Sequence, residues 1–142
     1  MRFAKVAFTA AGVWGIGVLT PLYWLVDITG RHYGRPTEYP QFFYGFLSVA
    51  MAWQIAFLII GSNPARFRLL MIPGILEKLG HVAGVAVLYG QARIGWVDAQ
   101  AAVPDFVLAM IFILAFVKTR PVREVAAGKE REIALKRLVR PT

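Results

Sequence analysis

Two long stretches of this chain carry no charge: Val6 to Val26, 21 residues, and Phe42 to Ile60, 19 residues. The hydrocarbon core of a bilayer is about 30 Å thick and a helix rises about 1.5 Å per residue, so a crossing needs about 20 apolar residues. The whole chain leans the same way. It has 142 residues, of which 58% are hydrophobic and 17% charged, where a soluble domain has about 45–50% and about 25%. That pattern points to a multi-pass membrane protein and excludes a soluble enzyme, a nucleic-acid module and a disulfide scaffold. The absence of cysteine also removes thiol redox chemistry and Cys-ligated metal.

The first apolar run follows Met1-Arg2-Phe3-Ala4-Lys5, a start that a secretory signal would share. Signal cores are about 7–15 residues long. This run is longer and carries Trp14, Tyr23 and Trp24, so it reads as a retained span over about residues 3–26. The connection Asp27 to Gln41, rich in glycine, proline and aromatics, reads as an ordered loop or a short re-entrant piece. Span two covers about 42–61 and ends at Ser62-Asn63-Pro64, because proline disfavours helix in the residue before it. Span three, about 69–91, is the least apolar. Span four, about 99–117, ends at Lys118-Thr119-Arg120-Pro121. The expected fold is all-α: an integral membrane four-helix bundle over residues 1–118, with a basic tail over 119–142. In that tail, Lys129 to Val139 has helical spacing, with Glu132 and Lys136 placed as an i,i+4 pair. Ile133, Leu135, Leu138 and Val139 suit the membrane surface.

A net charge of +8 would suggest nucleic acid in a soluble protein. Here eight of the sixteen basic residues lie between Lys118 and Arg140, as a cytoplasmic anchor against anionic lipid does. The expected partners are therefore membrane lipids, with no nucleic acid. With four spans, the N-terminus, the second connection and the tail share one side and carry twelve basic residues. The other side carries three: Arg31, Arg35 and Arg93. The positive-inside rule then places both termini in the cytoplasm, with the bundle in the cell inner membrane.

Among the polar groups inside the spans, the informative set is Gln54, Glu77, Lys78, His81 and Asp105. A charge at the bilayer centre costs about 2.5–3.5 kcal/mol on insertion scales, so such groups normally face the protein interior in pairs. Glu77 and His81, at i and i+4, share one face of span three. Lys78, about 100° round the helix, is expected to reach back towards the cytoplasmic head groups. Helical rise sorts the rest into two layers, Gln54 with Glu77 and His81 with Asp105. Gln54, Glu77, His81 and Asp105 are thus candidate ligand-binding residues of a small polar-lined cavity, or a lock that holds the helices in register. Asp105 directly after Pro104 also suits a helix first turn.

Metal and cofactor chemistry find little support. A di-iron bundle needs about four carboxylates and paired Glu-x-x-His motifs, and Glu77-x-x-x-His81 is one pair at another spacing. Bis-histidine haem needs a second membrane histidine, whereas His32 lies in the first connection. No resident cofactor and no metal are expected. Gly80 and Gly84 form a GxxxG on span three, and Ala11 and Gly15 repeat the spacing on span one. Such small residues let helices approach closely, within one bundle or between copies.

Tyr39-Pro40-Gln41-Phe42-Phe43-Tyr44-Gly45, Ala52-Trp53-Gln54, Asn63-Pro64-Ala65-Arg66-Phe67-Arg68 and Ile75-Leu76-Glu77-Lys78 resemble segments of small bacterial four-span membrane proteins without an assigned activity. The likeness covers about residues 39 to 93. Asn63 to Phe67, followed by a polar-bearing span and a basic tail, is also distantly similar to emopamil-binding and sigma-2-receptor-like proteins. Those have four or five membrane helices around an acidic cavity for sterols or amines. That resemblance implies that Glu77 and Asp105 would face a ligand amine or a sterol carbocation. Span four lacks the aromatic-rich, asparagine-bearing pattern of the isomerases, so isomerase activity is not implied. DoxX-like proteins are similar in four-span architecture.

Two functions follow as expectations. One is a membrane protein binding a lipophilic small molecule (sterol, quinone or lipid) through the polar cluster. The other is an accessory or assembly subunit of a larger complex, with a membrane protein partner or a homodimer. A transporter or channel ranks below both, since four spans leave little room for alternating access.

Overall fold

The computed structural model describes residues 2–32, 40–119 and 128–132, with side chains over 2–25, 40–119 and 128–132. Among these residues the fold is entirely helical. Helix α1 is Arg2–His32, α2 is Pro40–Ser62, α3 is Met71–Gly90, α4 is Trp96–Ala99 and α5 is Val103–Lys118, with 3-10 turns at Arg68–Leu70 and Gln100–Ala102. Four segments are long and apolar enough to cross a membrane: Arg2–Leu25, Pro40–Ser62, Arg68–Gly90 and Trp96–Lys118. This is the pattern of a multi-pass, helical membrane protein.

Helix α1 runs on past Asp27, where the sequence suggested its end. A charge stops an apolar span, but it does not break a helix, and no proline follows until Pro36. The rest of the first connection, residues 33–39, lies outside the described residues. So does most of the tail helix expected over 129–139, of which only residues 128–132 are described, and these are helical.

The helices alternate in direction. Lys5 and Thr9 of α1 lie beside Gly61 of α2, and Tyr23 reaches Ser48, so the first pair is antiparallel. The Arg68 Nε–H donates to the Thr119 carbonyl at 2.7 Å, which pairs the start of α3 with the end of α5. The Arg68 guanidinium also lies 3.8 Å from the centroid of the Phe116 ring. One arginine thereby caps the last turn of α5 and covers its outermost aromatic. Arg2, Lys5, Arg66, Arg68 and Lys118 thus share one end of the bundle, here called the basic end.

Glycines set the α1–α2 distance. A methyl built at Gly12 would come within 2.8 Å of the Gln54 carbonyl oxygen, and one at Gly61 within 3.0 Å of the Thr9 backbone nitrogen. Lipid tails are as apolar as leucine, so close packing of this kind is what holds membrane helices together. The GxxxG of α3 is used differently. A methyl at Gly80 or Gly84 would meet nothing within 4 Å.

The core lies towards the basic end and is built from aromatics. Phe8 of α1 stacks on Phe112 of α5 with centroids 4.1 Å apart, and Phe57 of α2 meets the edge of Phe112 at 4.9 Å. All three rings are fully buried, with Ala4, Ile60, Met71 and Ala115 around them. Phe57 also packs on Gly74, which seats α3. The two antiparallel pairs, α1 with α2 and α3 with α5, are joined here, while α2 and α3 otherwise scarcely meet.

At its far end α3 closes with a Schellman turn. The Ala92 N–H donates to the Tyr89 carbonyl at 2.9 Å and the Arg93 N–H to the Leu88 carbonyl at 3.0 Å. Ala92 takes the left-handed conformation (φ 54°) that this turn demands and that glycine adopts more cheaply. Asp98 then begins α4 by accepting from the Gly95 N–H.

Candidate functional site

Near the midpoints of the third and fourth apolar segments, four ionisable side chains meet. Lys78 Nζ is 2.9 Å from Asp105 Oδ1 across the α3–α5 interface and 3.2 Å from Glu77 Oε2 on its own helix. Asp105 Oδ2 accepts from His81 Nδ1 at 2.6 Å. Helical geometry explains the assembly. Lys78 and His81 are i and i+3, hence neighbours on one face of α3, so one carboxylate on the facing helix reaches both. Pro104 sets the first turn of α5 and brings Asp105 to that point.

Lys78 is the hub. Its side chain is 8% exposed and its ammonium lies 5.6 Å from the centroid of the Phe57 ring. The sequence suggested that it would extend towards the head groups. The structure turns it inwards instead, where two carboxylates and an aromatic face are within reach. Pairing is the cheaper solution for a charge at this depth of a span. Glu77 is held less completely. Its Oε1 accepts from Lys78 at 3.4 Å, while the buried Oε2 has no hydrogen bond of good geometry.

His81 differs from its neighbours in access. Its side chain is 40% exposed, against 19% for Asp105. The Lys78 ammonium engages Asp105 as a carboxylate, which leaves that carboxylate an acceptor towards His81. Nδ1 therefore carries the hydrogen, and in the neutral ring Nε2 is an acceptor. Among the described residues Nε2 has no hydrogen-bond partner. The site thus presents one oriented imidazole nitrogen, backed by a charge network centred on the buried Lys78.

Three of the four sequence-derived candidates, Glu77, His81 and Asp105, are brought together. Gln54 is placed elsewhere. It is buried between α1 and α2, donates from Nε2 to the Ala50 carbonyl at 3.0 Å, and fills the space beside Gly15. It belongs to the helix crossing and forms no layer with Glu77. Rise along the helix says nothing of the face a residue turns to, and that face is towards α1. Lys78, in contrast, was not among the candidates. The signal that could have found it is the pairing rule itself, since a lysine beside Glu77 and level with Asp105 has two partners at hand.

Among the described residues no group of three or more metal-ligating side chains is placed to hold an ion. Comparison with family models, with curated proteins and with solved structures gives no match for this chain.

Proposed function

We propose that the chain is an integral membrane protein, with its basic end in the cytoplasm, that binds a hydroxyl-bearing lipophile at His81. The observation that carries this reading is a partly exposed imidazole, oriented by Asp105, at the midpoint of an apolar helix. A polar nitrogen facing hydrocarbon lacks the water that would satisfy it elsewhere, and leaving it unpaired is costly. A sterol or quinol hydroxyl supplies the missing donor and brings an apolar body suited to the surroundings. Lys78 and Glu77 hold Asp105 in place and need not touch the ligand.

With only two histidines in the sequence, the imidazole region of the nitrogen NMR spectrum is simple to read. In phosphatidylcholine nanodiscs, an alkyl hydroquinone or a sterol should shift the His81 Nε2 resonance. The corresponding methyl ethers should not, and His81→Gln identifies the signal. If neither hydroxylated compound moves that resonance, the reading is wrong.

The open Gly80/Gly84 face favours a second reading, in which α3 docks against a helix of another membrane protein. Under it, a partner co-purifies in mild detergent and is lost on Gly84→Leu.

A further inference from the structure

On the opposite side of α5 from α3 lies a second feature, independent of the polar cluster. Helices α1 and α5 touch closely where Phe8 stacks on Phe112. Beyond that contact, Ala7, Ala10 and Trp14 of α1 and Pro104, Val107 and Ile111 of α5 wall an open groove of about 520 Å³. That volume lies within the usual range of ligand sites, about 300–1,000 Å³. All of its lining residues are apolar.

The foot of the groove is charged. Four residues before Ala7 is Phe3, and seven after Ile111 is Lys118, whose ammonium lies 5.2 Å from the centroid of the Phe3 ring. Arg2, next to Phe3 in the chain, adds a second positive charge at this end of α1. No acidic residue occurs in α1 before Asp27 or in α5 after Asp105. From Lys118 to Val103 the helix rises about 22 Å, close to one leaflet of a bilayer about 40–45 Å thick with its head groups.

We infer that this groove holds an acyl chain of an anionic phospholipid whose phosphate is engaged by Lys118. Hydrocarbon walls suit the chain and cannot tell one phospholipid from another. The cations at the foot supply the discrimination. One lysine or arginine near a membrane surface is worth about 1 kcal/mol towards anionic lipid, which is about fivefold in affinity.

The test uses the full chain in vesicles of equal phosphatidylglycerol and phosphatidylcholine, gently extracted and weighed by native mass spectrometry. The wild type should retain one phosphatidylglycerol in preference to phosphatidylcholine. Lys118→Gln should reduce that preference by about fivefold. Ala10→Phe and Val107→Phe, each filling the groove from one wall at an exposed position, should lose the retained lipid. Circular dichroism and the thermal midpoint establish that each variant is folded. His81→Gln should leave retention unchanged, which separates this site from the hydroxyl site. Equal retention of both lipids by the wild type overturns the inference. So does retention that survives both phenylalanine variants, or a mass of two chains in place of chain plus lipid.

Discussion

Lys78 shows how much one residue decides. It bridges Glu77 and Asp105 at the α3–α5 interface, so its removal leaves two largely buried carboxylates without the cation they share. Breaking a buried pair by deleting one partner costs about 3–5 kcal/mol, whereas replacing every member by neutral groups of similar shape is often close to neutral. Lys78→Met should therefore lower the thermal midpoint in detergent by many degrees. Adding Glu77→Gln and Asp105→Asn should recover most of the loss. A neutral Lys78→Met would show that the network is not a structural hub. The identities of the acids and the histidine were legible in the sequence, because an ionisable group within an apolar span is conspicuous. The direction of Lys78 was not, since a four-carbon stem reaches either the head groups or an acid across the helix interface, and only the placement of Asp105 decides between them.

At the scale of elements, the existence of four apolar helices and their approximate bounds follow from apolar length, in two runs free of charge and two that carry only a few charged residues. Which faces meet does not. The two small-residue stripes, on α1 and α3, have opposite fates: Gly15 of the Ala11/Gly15 pair, with Gly12 beside it, is closed against α2, while Gly80 and Gly84 stay open. The difference arises from Phe57, Trp53 and Met71, bulky residues that seat the start of α3 and leave its second half apart from α2. Nothing within either stripe encodes that. It follows that Gly12→Ala should destabilise the bundle by about 1–3 kcal/mol, since its methyl would press on the Gln54 backbone, which cannot move aside. Gly80→Ala should be neutral or stabilising by up to about 1 kcal/mol, from helix propensity alone. Thermal unfolding of the two variants in the same detergent compares them. Equal losses would mean that the α3 stripe is packed after all.

For the whole molecule, the core near the basic end joins two antiparallel pairs, and the ionisable cluster sits just beyond that junction. The helix junction is thus a base that carries an accessible imidazole at mid-span. The proposed binding of a hydroxylated lipophile at His81 is open to direct test. The most direct measurement is mass spectrometry of the organic extract from protein taken gently out of its own membrane, wild type beside His81→Phe. The wild type should yield one hydroxyl-bearing lipophile per chain. It should be absent from a His81→Phe protein whose thermal midpoint is nearly unchanged. An extract containing only bulk phospholipid, or the same lipophile at equal yield from both proteins, would contradict the proposed binding.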